Sequence, residues 1–98
     1  MEKANLILIE QFCTNHNIEF SFIDSLSQFG LVEVVVVDEQ KYLLHEQLGE
    51  VERMMRLHYD LDINMEGIDA ISGLLQRVNE LQQQLITAKN RLRLYEDE

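Results

Sequence analysis

From Met65 to Tyr95 nothing in the sequence stops an α-helix except the isolated Gly67 and Gly73, each costing about 1 kcal/mol relative to alanine. With Ile71 at heptad position a, the residues Ile71, Leu74, Val78, Leu81, Leu85, Ala88, Leu92 and Tyr95 alternate strictly between a and d through four heptads. A seam of this period specifies a coiled coil. A helix of about 30 residues is roughly 45 Å long, more than a small headpiece can cover. Part of the seam therefore needs a partner, and a second copy of the chain, a homodimer, supplies one. The flanking e and g positions (Leu75, Gln82, Lys89, Arg77, Gln84, Arg91) carry no charge code for parallel or antiparallel pairing.

The residues before this helix divide into short segments. Leu6–Leu8 reads as a brief strand that runs into a helix over Ile9–His16, and Asn15 and Asn17 supply turn chemistry. A second helix fits Glu19–Phe29, with Phe22, Ile23 and Leu26 as its buried stripe and Gly30 as the residue that ends it. Two short helices and a tight turn make a helix-turn-helix. Leu31–Val37 and Tyr42–Leu44, separated by Asp38-Glu39-Gln40-Lys41, then read as a hairpin in the position of a wing. A third helix fits His45–Tyr59, its stripe formed by Leu48, Val51, Met55 and His58 and widened by Met54 and Leu61. Glu52 and Arg56 are spaced as an i, i+4 ion pair. Asn64 is placed to cap the long helix. The expected organisation is one domain over 1–98, with a headpiece over 1–63 and a dimerisation helix over 64–96.

At 46% apolar and 27% charged residues, the chain has enough apolar surface to fold. Its net charge of −10 is spread unevenly. Residues 1–50 hold nine carboxylates against Lys3 and Lys41, leaving −7 on the headpiece. A specific DNA complex commonly uses about 6–10 phosphate contacts, mostly from Lys and Arg, and two lysines cannot supply them. The second helix, in the position that would read DNA, has no cation and carries Glu19 and Asp24. The lopsided headpiece instead suits a basic protein partner. Its candidate contact residues are Glu10, Glu19, Asp24, Glu33, Asp38 and Glu39.

The remaining chemistry is sparse. A single cysteine, Cys13, excludes an intrachain disulfide. With His16 it has the spacing of half a metal site but lacks a second ligand pair, so no metal or other cofactor is expected. The simpler reading is a buried helical thiol, with His45 and His58 on a helix surface or satisfied in the core. Met54 and Met55 lie at core spacing. No nucleophile–base spacing, phosphate loop or carboxylate pair indicates an enzyme. The short apolar patches at Leu6–Ile9 and Val34–Val37 match neither a signal peptide nor a membrane span, and a cytoplasmic location is expected.

The order helix, turn, helix, wing, helix and long coiled-coil helix resembles the MerR architecture, which is mainly α. In that family the second helix enters the major groove and the wing follows the backbone. Within it, the chain most resembles the CbpM-like chaperone modulators. The resemblance is carried by Ile9-Glu10-Gln11-Phe12-Cys13, Gly30-Leu31-Val32-Glu33, Arg56-Leu57-His58-Tyr59-Asp60-Leu61 and Met65-Glu66-Gly67-Ile68, in that order over nearly the whole chain. The chain lacks the proline that MerR regulators often place after the Gly-Leu pair. The resemblance implies binding to the J-domain of a DnaJ-like or CbpA-like co-chaperone, restraint of its action on Hsp70, and antiparallel pairing of the long helices. Two other functions fit the same layout: a DNA-binding MerR-like regulator, and a purely structural dimerisation module.

Overall fold

The computed structural model describes residues 5–96. They form β1 (Leu6–Leu8), α1 (Ile9–His16), α2 (Phe20–Gln28), β2 (Val34–Val37), β3 (Gln40–Leu44), α3 (Leu48–Met55) and α4 (Met65–Glu96). The fold is mainly helical, as expected, with a small sheet and a long last helix. Glu2 and Lys3, which enter the headpiece charge, lie outside the described residues.

The two short helices end by the same device. At the end of α1, Asn17 takes a left-handed conformation (φ 56°), and the Ile18 N–H reaches back to the Cys13 carbonyl at 3.0 Å. At the end of α2, Gly30 does the same (φ 75°), with Leu31 N–H to Leu26 O at 2.9 Å and Gly30 N–H to Ser27 O at 3.0 Å. These pairings satisfy carbonyls that a helix end would leave open. The turn at Asn17 lies between α1 and α2, and Phe12 and Cys13 of α1 meet Phe22, Ile23 and Leu26 of α2 in one core.

The wing is tighter than the sequence suggests. Val37 pairs with Gln40 and Val36 with Lys41, so the turn is only Asp38-Glu39, not the four residues expected. Both turn residues have positive φ (52° and 67°), the arrangement whose twist matches that of the flanking strands. The strand before the turn is correspondingly shorter than Leu31–Val37. Leu31 closes α2, Val32 enters the core, and the Glu33 N–H donates to Gln47 Oε1 at 3.2 Å. Strand β1 pairs antiparallel with the other side of β3, giving the order β1-β3-β2. The central strand places Leu43 fully inside the core.

The third helical segment is composite. His45–Gln47 form a 3-10 turn, α3 follows, and Arg56–Asp60 form a wider π turn closed by Leu61 N–H to Arg56 O at 3.2 Å. This widening and the left-handed Asp62 (φ 58°) carry Leu61 off the stripe it was expected to widen, leaving it 64% exposed. Val51 and Met54 remain buried, and Met55 and Leu57 pack partly against them. The expected Glu52–Arg56 pair does not form. Among the described residues the ion pairs are Arg53–Glu50 at 3.3 Å and Arg77–Glu80 at 3.5 Å. Both are exposed, so each contributes little.

Asn64 caps α4 as expected, its Oδ1 accepting the Gly67 N–H at 2.8 Å. Gly67 has a steric reason to be glycine, since a Cβ there would lie 2.7 Å from Ile63 Cγ2. Ile68 anchors the first turns of α4 in the core, and Met65 packs beside it. Beyond Ile71, which is half-buried, the heptad residues Leu74, Val78, Leu81, Leu85, Ala88, Leu92 and Tyr95 are exposed in the single protomer. The helix thus projects from the headpiece as a stalk, and the molecule measures 59 × 36 × 21 Å.

Candidate protein-binding face of the headpiece

The exposed side of α2 carries no Lys or Arg, and neutral groups serve its carboxylates. Ser21 Oγ donates to Glu19 Oε1 at 3.2 Å, and Gln28 Nε2 donates to Asp24 Oδ2 at 3.0 Å. Asp38 and Glu39 stand at the wing tip, fully outside the core. A surface built this way presents uncompensated negative charge to whatever approaches it.

The six carboxylates singled out from the sequence do not form one cluster. Glu10 and Glu39 line the same cleft of about 460 Å³, between α1, the start of α2 and the wing turn. Glu19 immediately precedes Phe20, another lining residue. Asp38 adjoins Glu39. Glu33 lies elsewhere, beside Gln47 at the start of the wing, and Asp24 is held along α2 by Gln28. The sequence reading missed Phe20 and Lys41, whose ammonium stands 5.3 Å from the Phe20 ring centroid. The available signal was Phe20 itself, an aromatic residue off the buried stripe of its helix.

A second cleft, of about 660 Å³, lies where Phe29, Leu31 and Arg53 of the headpiece face Leu75 and Val78 of α4. It runs into the exposed seam of the stalk. A third feature surrounds the π turn, where the His58 ring stacks on Phe22 at 4.9 Å and Tyr59 meets both rings edge-on. His58 Nδ1 donates to the Ile63 carbonyl at 3.0 Å, so this histidine is a satisfied part of the packing. Among the described residues no three His, Cys, Asp or Glu side chains come together in a group that could hold a metal.

Cys13 is buried against the core, and burial pushes its thiol above the usual range. Nucleophilicity belongs to the thiolate. Native Cys13 is therefore expected to react with iodoacetamide at least about tenfold more slowly than free cysteine, and at the free rate in denaturant. A native rate equal to that of free cysteine would show that the α1–α2 core is open.

A helix-turn-helix, a two-stranded wing completed by a third strand, and a long helical stalk define a winged helix-turn-helix protein of the MerR type. The family model described as MerR HTH family regulatory protein matches residues 7–90, and the chain belongs to that family. Comparison with curated proteins and with solved structures gives no match. No helix among the described residues is long and apolar enough to cross a membrane.

Proposed function

We propose that this chain is a CbpM-like chaperone modulator, which binds the basic J-domain of a DnaJ-like co-chaperone and restrains its stimulation of Hsp70. The observation that carries the reading is the face of α2 and the wing tip. This is the surface on which a winged helix-turn-helix would meet nucleic acid, and among the described residues it bears Glu19, Asp24, Asp38 and Glu39 with Lys41 as the only cation. Phosphates are repelled there, whereas a basic helix is attracted and oriented. The mechanism is occlusion: a J-domain whose basic surface is covered cannot present it to Hsp70.

Titrating the protein into a mixture of Hsp70 and a DnaJ-like co-chaperone is expected to lower ATP hydrolysis toward the unstimulated rate. The effect weakens as salt screens the contact. An unchanged stimulated rate in dilute salt sinks the proposal.

A DNA-binding regulator is the second reading, favoured by the family and by the geometry of α1 and α2. It requires duplex binding that falls steeply with salt, and a gel shift without a complex in dilute salt removes it. A structural dimerisation module would self-associate and bind neither.

For either partner we propose that the chain acts as a homodimer joined through the stalk. The reason is the exposed seam from Leu74 to Tyr95, whose period suits a second copy of the same helix.

A further inference from the structure

We propose that the cleft beside Phe20 is the anchor pocket of the acidic face, and that it takes an arginine or lysine side chain from the partner. Lys41 currently occupies the position of that side chain. The inference rests on the reading of the headpiece as a surface for a basic protein, and it locates the contact.

The starting observation is an aromatic ring in an unusual place. Phe20 opens α2 but stands outside the core, 46% exposed. It forms a wall of a cleft floored by the buried Ile9 and Cys13. An exposed ring attracts a cation over its face, more strongly when water is excluded. The cleft already shows this preference, because Lys41 reaches across from β3 to place its ammonium 5.3 Å from the ring centroid. Lys41 is the only cation described in the first fifty residues, and it is found at this ring.

The surroundings explain what a partner could add. Glu10 and Glu39 line the same cleft as the ring, and Glu19 precedes it in the chain. They outnumber Lys41, so the pocket retains negative charge with the lysine in place. Lys41 is exposed and tethered only by its flexible stem, so displacing it costs little. An arginine suits the site better than lysine. Its flat guanidinium stacks on the ring while its N–H groups reach carboxylates at the edges. Lys41 thus acts as a weak internal competitor.

This gives an unusual pattern of expected effects, measured with two probes in dilute salt. The first is the J-domain of a DnaJ-like co-chaperone. The second is a fluorescent, capped, alanine-based helical peptide carrying arginines. Phe20→Ala is expected to weaken binding of both about tenfold, while Phe20→Tyr, which keeps the ring, binds like the unaltered chain. Lys41→Gln is expected to tighten binding about fivefold. Arg93→Gln, the same charge change on the exposed outer side of the stalk, changes binding less than about twofold.

Equal effects of Lys41→Gln and Arg93→Gln would reduce Lys41 to bulk charge and overturn the pocket. So would binding untouched by Phe20→Ala. In either case a J-domain that still bound would leave the chaperone reading standing. Should the peptide follow the pattern while the J-domain fails to bind, the pocket is supported and the J-domain falls as partner.

Discussion

Leu85→Asp is expected to yield a folded monomer. Leu85 lies in the middle of the exposed seam, more than half accessible in the protomer and far from the headpiece core. Its replacement therefore removes no contact on which the protomer depends. In a dimer the same position is closed on all sides. With two helices antiparallel about Gln83, every a residue faces a d residue: Ile71 faces Tyr95, Leu74 faces Leu92, Val78 faces Ala88 and Leu81 faces Leu85. In a parallel pair Leu85 faces its own copy. Either way two aspartates per dimer enter an apolar interface, each with a desolvation penalty of several kcal/mol. The dissociation constant should rise by at least about a thousandfold, which corresponds to roughly 4 kcal/mol. Sedimentation equilibrium measures this directly, and circular dichroism checks that the headpiece stays folded. An unaltered chain that sediments as a monomer at high concentration would refute the pairing. Val78→Asp should behave in the same way.

The reason this experiment could be designed from the sequence is also the reason much of the fold was legible there. A seam repeated through four heptads is a redundant signal, and no single residue decides it. Gly30 and Asn64 were legible for a different reason: a left-handed C-terminal position and an N-cap each demand particular side chains. The Asp38-Glu39 turn was not legible. Two-residue turns of this twist normally use Asn-Gly or Asp-Gly, and a glutamate at φ 67° is held there by the strand pairing on both sides. Nothing in Arg56–Asp60 marks a π turn either; in the structure the turn places His58 and Tyr59 against Phe22, a contact between segments more than thirty residues apart.

The candidate site divides along the same line. Its sign could be counted from composition, because charge needs no geometry. Its focus could not, because Glu10, Phe20 and Glu39 come together only after α1, α2 and the wing turn converge. Lys41 illustrates the difference. Assigned to a turn it is one more exposed cation, but as the second residue of β3 it is aimed at Phe20. The carboxylates that remain dispersed, Asp24 and Glu33, had the same composition signal as those that converge.

Ile68→Ala is expected to act in the opposite way to Leu85→Asp, by damaging the protomer itself. Ile68 lies in the first turns of α4 and has no exposed surface. It belongs to the same core as Ile23, Leu26, Leu43, Val51 and Met54, and it is the one residue of α4 that is fully buried. Removing its branched side chain forfeits the transfer energy of the lost atoms and leaves a cavity in the core that it shares with α2, α3 and β3. Such changes cost about 2–5 kcal/mol. For a chain of this size each kcal/mol lowers Tm by about 4–8 °C, so a fall of at least about 8 °C is expected by thermal denaturation. The headpiece and stalk should lose structure together, because the cap at Asn64 and the steric fit of Gly67 against Ile63 position α4 only while Ile68 holds it down. A Tm within about 2 °C of the unaltered chain would mean that the stalk is not anchored at this point. In that event the acidic face would have no fixed orientation relative to the apolar seam of the stalk, and occlusion of a partner by the proposed dimer could not depend on it.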